Sequence, residues 1–225
     1  MSFGRRVAKD LASKLDRLDV FWGIAGKGAN AFKLTDDGYD SHFTLNNLSH
    51  HVLLSHLFPV LEKTSKLPGT DVRIVQMSSE LHRATFGGPS ETFGGKRFAT
   101  KEEFKEEIGP SNVYARTKLA VILQQKAIVK KFAIPPTSKI LVYSTHPGGV
   151  ATGQQDQFKP AYGEVIGGIL GAAVRPLMLR PDQGAISILW AGTGPDARSN
   201  DAYKSGMCKL THCHPNFLFS TTSAG

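Results

Sequence analysis

Tyr114 and Lys118 are four residues apart in the segment NVYARTKLA. On a helix this spacing places the two side chains on one face, a single turn apart. A phenol with an ordinary pKa of about 10 is a poor base at neutral pH, but a neighbouring ammonium group favours its ionised form. The pair therefore predicts an acid/base couple. A tyrosine and a lysine at this spacing also occur by chance on solvated helix faces, so the pair alone leaves that alternative open.

Three short apolar runs predict the strands that would position such a pair. They cover residues 18–22, 72–77 and 140–143. Apolar residues at helical spacing predict an N-terminal helix and two long helices, one over residues 34–61 and one beginning near Asn112. A short charged helix is predicted at residues 101–107, and further helical segments are predicted after the third strand, up to residue 194. A last short strand is predicted at residues 202–210. Apolar strands that alternate with helices indicate an α/β fold with a parallel sheet covered on both faces.

Polar or glycine-rich segments follow each predicted strand. They are GIAGKG at 23–28, Ser78-Ser79-Glu80, and HPGGVAT at 146–152. In parallel α/β sheets, ligands bind in the crevice outside the carboxyl ends of the strands. The sequence therefore predicts a binding site where these three segments meet.

The composition narrows the class of protein. The chain has 225 residues with a net charge of +8, and its basic residues are scattered, which predicts a basic surface rather than a nucleic-acid-binding stripe. It lacks an uncharged apolar run of about 18 residues, so no membrane association is expected. Its two cysteines, Cys208 and Cys213, favour a reducing compartment, and the absence of targeting signals suggests the cytoplasm. His212 and His214 crowd the same segment, but adjacent residues do not converge on one tetrahedral ion, and no metal site is predicted.

The order of these motifs resembles the short-chain dehydrogenase/reductase family. LDVFWGIAG resembles the family's strand and Asn-Asn-Ala-Gly segment, LNNLSHHVLL its asparagine-bearing helix, and VRIVQMSSELH its serine-bearing strand. Tyr-xxx-Lys and Pro-Gly-x-Val-x-Thr follow in the family's order. The gap of roughly 35 residues from Ser79 to Tyr114 is similar to that of the retinol-dehydrogenase-like branch and of fungal reductases of secondary metabolism. The resemblance covers about residues 8–209 and implies a Rossmann-like, doubly wound parallel sheet.

The resemblance also implies roles for individual residues. Tyr114 would exchange a proton with the substrate oxygen, Ser79 would orient that oxygen, Lys118 would lower the pKa of Tyr114 and bind the cofactor ribose, and Asn46 would hold a relay water. The cofactor would be NADP or NAD. Its nicotinamide pocket would be formed by Tyr114, Lys118, Pro147, Gly148, Val150 and Thr152. The expected activity is reduction of a ketone or oxidation of a secondary alcohol on a small molecule of secondary metabolism, and the two long helices would form a homo-oligomer.

The sequence departs from the family at its beginning. The family's Gly-x-x-x-Gly-x-Gly turn would precede the segment where this chain starts, so we expect the first three strands to be missing. Gly23, Gly26 and Gly28 have the wrong spacing for that turn and are expected to serve the loop after the strand. We predict one partial Rossmann-type domain, divided at residues 1–70, 71–152 and 153–225. The alternatives are a catalytically impaired remnant, a partner subunit of a full-length reductase, or a wrongly assigned start.

Overall fold

The computed structural model of the chain describes residues 2–83, 100–132, 139–153, 158–174, 176, 178–195 and 197. The strand predicted at residues 202–210 and the cysteine- and histidine-containing segment at residues 208–214 lie outside the described residues.

In the described part of the chain, three parallel strands form the sheet, and all three were predicted. They are β1 (Val20–Gly23), β2 (Val72–Met77) and β3 (Ile140–Thr145), in the order β1-β2-β3. Gly23 pairs with Gln76, and Met77 pairs with Thr145. The carboxyl ends of the strands therefore meet at one edge. Within the described residues, β1 has a strand partner on one side only.

The helices alternate with the strands along the chain. They are α1 (Ser2–Lys14), α2 (Ser41–Phe43), a π-helix (Thr44–Leu48), α3 (Ser49–Ser65), α4 (Pro110–Phe132), α5 (Phe158–Tyr162), α6 (Glu164–Val174) and α7 (Pro181–Thr193). Two 3₁₀ turns cover Glu80–Arg83 and Glu102–Lys105. None of the helices in the described part of the chain is long and apolar enough to span a bilayer.

Both faces of the sheet are covered, which confirms the doubly wound α/β fold. One face packs on α3 and α4, with a core formed by Phe21, Leu54, Leu57, Leu61, Val72, Ile74, Ile140 and Val142. The other face packs on α7, with a core formed by Val75, Leu141, Tyr143, Ile188, Ala191 and Ala197. Alternating side chains of β2 and β3 enter both layers, which is why these strands carry apolar residues on both faces rather than on one.

Two predicted helices differ from the observed ones. The helix predicted at residues 34–61 begins only at Ser41, because the Asp40 carboxylate accepts hydrogen bonds from the His42 and Phe43 amides and caps the helix there. It then continues through Pro59 to Ser65. The charged helix predicted at residues 101–107 is a single 3₁₀ turn.

The helices α5 and α6 form a closely packed pair after β3. A β-carbon on Gly167 of α6 would overlap the Phe158 carbonyl of α5, so the two backbones approach at a distance that only glycine allows. The Tyr162 hydroxyl at the end of α5 is hydrogen-bonded to the Ser111 hydroxyl in the first turn of α4. On its other side, α6 exposes Val165, Ile166, Ile169 and Leu170.

Candidate active site

The amino end of α4 is fixed to the rest of the fold by buried hydrogen bonds. Thr117 donates its hydroxyl to the Tyr114 carbonyl at 2.7 Å and accepts from Asn46 Nδ2 at 2.9 Å. Asn47 Nδ2 donates to the Thr117 carbonyl at 3.0 Å. The hydroxyl of Ser78 donates to the Lys118 carbonyl at 2.8 Å, which joins the helix to the end of β2. The backbone that presents Tyr114 and Lys118 is therefore held from two sides.

Lys118 projects from α4 to the end of β2. Its Nζ donates to the Met77 carbonyl at 2.9 Å and lies 5.5 Å from the centroid of the Tyr114 ring. The side chain is almost completely buried, and burial lowers the pKa of Lys118 to about 8. A buried ammonium loses hydration that a single carbonyl replaces only in part, so burial shifts the protonation equilibrium toward the neutral amine.

Tyr114 is only 8% exposed, and its hydroxyl interacts with the Ser79 side chain. Burial raises the pKa of Tyr114, and the hydrogen bond with Ser79 acts in the opposite direction without reversing the shift. The structure thus brings Ser79, Tyr114 and Lys118 together at the carboxyl end of β2. The expected lowering of the phenol's pKa by Lys118 is not found in the protein alone, because burial disfavours the phenolate.

Asn46 lies in the π-helix that joins α2 to α3, and it is 1% exposed. Its Oδ1 accepts from the Lys27 amide at 2.9 Å, and its Nδ2 donates to the Lys27 carbonyl at 3.1 Å and to Thr117. Asn46 therefore connects the loop after β1 to α4, and both N–H groups of its side-chain amide are used. Burial lowers the pKa of the His50 imidazole, one turn later, while the Asn46 backbone acts in the opposite direction.

The glycines after β1 make room for this network. A β-carbon on Gly26 would lie 2.9 Å from Asn46 Oδ1, and one on Gly23 would lie 2.9 Å from Gln76 Cγ. Contacts this short are essentially never seen for a real β-carbon, so side chains at either position would displace buried groups. Gly23 and Gly26 therefore allow the end of β1 and the loop after it to pack closely against Gln76 and Asn46.

The residues predicted for the nicotinamide pocket follow β3. Gly148 has φ of +79°, a left-handed conformation that favours glycine, and its amide donates to His146 Nδ1 at 3.2 Å. Val150 forms a parallel bridge with Leu179, and a β-carbon on Gly184 of α7 would overlap the Val150 side chain. Pro147 is half-buried and Thr152 is exposed. The segment is thereby anchored beside α7 with Thr152 accessible.

A buried ion pair beside the site was missed from the sequence. Arg116 NH2 donates to Asp40 Oδ2 at 3.1 Å, with both side chains nearly inaccessible, and Arg116 NH1 donates to the Glu103 carbonyl at 3.1 Å. Burial acts to raise the pKa of Asp40, but hydrogen bonds from His42 and Arg116 hold it below its usual value. The helix-capping position of Asp40 was a readable signal, whereas its pairing with Arg116 depends on the tertiary fold.

Two cavities lined by described residues lie away from Tyr114. One, of about 380 Å³, is lined by residues of α3, α4 and β3 that include Phe58, Glu62 and Phe132. The other, of about 480 Å³, is lined by residues that include Arg5, Tyr39 and Phe104. Neither cavity contains Ser79, Tyr114 or Lys118, so the candidate site is defined by these three side chains and not by a cavity.

Known proteins share both sequence and fold with this chain. A protein of Neurospora crassa described as the mitochondrial oxidoreductase bli-4 is 33% identical over 193 residues, which are 83% of this chain and 44% of that protein. A short-chain dehydrogenase/reductase of Armillaria gallica is 34% identical over 147 residues, 64% of this chain and 43% of that protein. No protein-family model matches the chain.

Among solved structures, one from Beutenbergia cavernae superimposes with a TM-score of 0.59 at 18% identity, over 92% of this chain and 69% of that one. It is described as an NAD(P)-dependent gluconate 5-dehydrogenase and contains NADP at low occupancy. This likeness shows the fold, and the sequence relatives confirm the resemblance found in the sequence: the chain belongs to the short-chain dehydrogenase/reductase family. The chain spans about half the length of the curated relatives named above.

Proposed function

We propose that this chain is an oxidoreductase that reduces a ketone, or oxidises a secondary alcohol, with NADP or NAD. The observation on which the proposal rests is the group formed by Ser79, Tyr114 and Lys118. A phenol, a hydroxyl and an amine meet at the carboxyl end of β2, where an α/β sheet binds its ligand. Relatives described as oxidoreductases support the reaction class.

Tyr114 is the proposed proton donor. At neutral pH its raised pKa keeps the phenol protonated, which is the form needed to give a proton to the oxygen of a ketone as it is reduced. Ser79, which hydrogen-bonds with the same phenol, would orient that oxygen. In the oxidative direction the same proton returns from the alcohol to Tyr114, and the phenolate then depends on a nearby positive charge.

The donor set at this site fits the nicotinamide and ribose end of the cofactor. Lys118 offers an amine, and the exposed Thr152 offers a hydroxyl beside the Gly148 turn, groups suited to the sugar hydroxyls and the carboxamide. When bound, the cofactor supplies or accepts the hydride at the carbonyl carbon. The protein's own contribution is to hold both reactants and to move the proton at Tyr114 Oη. Asn46 would support this arrangement by fixing the loop after β1 to α4.

The proposal extends to a small apolar substrate of secondary metabolism in the cytoplasm. The segment after the Gly148 turn supports the apolar character, since Val165, Ile166 and Ile169 on α6 are 74%, 60% and 65% exposed. Apolar side chains displayed in this way mark a surface that is covered in some functional state.

The substitution Tyr114→Phe tests the proton-transfer step. We expect turnover of a ketone panel with NADPH to fall by about 10²- to 10⁴-fold, the usual contribution of a general acid. Tyr39→Phe, which removes a phenol from a half-buried tyrosine outside the group, is the matched control and should leave turnover unchanged. Equal turnover in Tyr114→Phe and the unmodified chain would exclude this mechanism.

The second candidate is a non-catalytic chain or a partner subunit that pairs with a full-length reductase. It is favoured by β1, which in the described part of the chain pairs with β2 alone and leaves its other edge open to a strand of another molecule. Calorimetric titration of the isolated chain with NADPH separates the two candidates. A dissociation constant in the micromolar range supports the enzyme, and no detectable binding supports the partner subunit.

A further inference from the structure

Glu80 and His146 connect two segments that leave the sheet side by side. Glu80 follows Ser79 at the end of β2, and His146 follows β3 and precedes Pro147. Because β2 and β3 are neighbours, the two side chains meet, and Glu80 Oε1 lies 3.3 Å from His146 Nε2. No motif of the family resemblance included this contact.

The imidazole of His146 has a partner on each nitrogen. The Gly148 amide donates to Nδ1 at 3.2 Å, so Nδ1 acts as an acceptor and carries no proton. Nε2 must then carry the ring proton, and the facing Glu80 carboxylate accepts it. The neutral Nε2–H tautomer therefore satisfies both contacts at once. The backbone carbonyl of His146 accepts a hydrogen bond from the Ser187 hydroxyl at 2.9 Å, which fixes His146 to α7.

Burial and two neighbouring side chains, His82 and Arg83, favour the same neutral state, whereas Glu80 opposes it. His146 is 12% exposed on its side chain, and burial lowers the pKa of the imidazole. Glu80 raises it, whereas His82 and Arg83 lower it. Arg83 Nε lies 3.8 Å from the Glu80 carboxylate, so the negative charge of Glu80 faces both Arg83 and His146. Since protonation would place a second N–H against the Gly148 amide, the charged ring and the observed turn exclude each other.

We propose that Glu80 and His146 are positioning residues that hold the Pro147–Gly148 turn against the Ser79 segment through this single tautomer. The inference rests on the proposed function, because that turn is the expected nicotinamide pocket and Ser79 the expected contact of the substrate oxygen. The pair fixes the distance between the cofactor's reactive ring and the substrate without touching either. Neither Glu80 nor His146 is a catalytic residue, because neither would contact the substrate or the cofactor.

Two amide substitutions separate the two contacts of the ring. His146→Asn places an amide oxygen near the position of Nδ1 and keeps an acceptor for Gly148, whereas His146→Gln reaches Glu80 but leaves the Gly148 amide without its acceptor. His51→Gln, on the exposed side of α3, is the matched control.

Amide hydrogen exchange and ¹⁵N NMR of the ring measure the contact directly. We expect the unmodified chain to show the neutral Nε2–H tautomer at pH 7, and the exchange rate of the Gly148 amide to rise about fivefold in His146→Gln while changing little in His146→Asn. An Nδ1–H or charged ring at pH 7, or equal exchange in all variants, would overturn the proposal.

NADPH titration then tests what the contact does. His146→Gln should weaken NADPH binding about fivefold relative to His51→Gln, in step with the loss of one hydrogen bond that holds the turn. Equal affinity in the two variants would refute the positioning role even if the tautomer is correct. Absence of NADPH binding by the unmodified chain would instead refute the proposed function, while the NMR measurement still decides whether the pair holds the turn.

Discussion

The buried amine of Lys118 makes the stability of the fold depend on alkaline pH. Its pKa falls from 10.5 in the unfolded chain to about 8 in the folded chain because burial removes water from the ammonium. Between these two values the unfolded chain binds more protons than the folded one, so the free energy of unfolding rises with pH. Below pH 8 both states are protonated and the gain is absent.

The expected gain follows from the two pKa values. The full shift corresponds to about 3 kcal/mol at 1.36 kcal/mol per pKa unit. From pH 7 to pH 9.5, where the folded chain loses its proton and the unfolded chain largely keeps it, the gain is about 2 kcal/mol.

Urea unfolding at both pH values, with and without Lys118→Met, isolates this contribution. The difference in unfolding free energy between the unmodified chain and Lys118→Met should increase by about 2 kcal/mol toward pH 9.5. Lys126→Met replaces an exposed lysine of the same helix. The difference in unfolding free energy between the unmodified chain and Lys126→Met should be the same at both pH values. A flat or falling difference for Lys118 would show that its ammonium is not held in a dehydrated site and would refute the reasoning.

Two further substitutions test the packing around the site. Asp40→Asn should lower the unfolding free energy at pH 7 by about 3–5 kcal/mol, because Arg116 keeps a buried charge without its counter-ion; a loss under about 1 kcal/mol would contradict a buried pair. Because the pKa of Asp40 is lowered, its contribution is present above the unfolded value of 3.8 and disappears as pH falls through the folded one, which acid titrations of both proteins would detect. Gly192→Ala should cost about 1–3 kcal/mol in urea unfolding, since its β-carbon would overlap the Trp22 indole, and an unchanged midpoint would disprove that packing.

The strands and the proximity of Ser79, Tyr114 and Lys118 were predictable because their signals are local. β2 and β3 are apolar on both faces, and Tyr114 and Lys118 are one turn apart on a helix that any parallel fold would place at the strand ends. The pKa of Tyr114 was mispredicted in direction because the sequence shows that Lys118 is near but not how deeply the phenol is buried.

Contacts between segments distant in the chain were not predictable. The Asp40–Arg116 pair joins residues 76 positions apart, and the Glu80–His146 contact exists only because β2 and β3 are neighbours. The predicted start of the long helix was wrong by seven residues, because the capping position of Asp40 was not used to set it. Assembly through the long helices stays a prediction, and so do the roles of all the predicted site residues, Asn46, Ser79, Tyr114, Lys118, Pro147, Gly148, Val150 and Thr152.

The packing of α5 on α6 has a mechanical consequence for the catalytic helix. With glycine at the point of closest approach, the backbones of α5 and α6 are in direct contact there. We therefore expect the two helices to move together. Tyr162 ties that body to Ser111, three residues before Tyr114. A molecule bound to the exposed side of α6 would therefore displace the first turn of α4 as well, so the proposed substrate surface and the proposed proton donor are mechanically coupled.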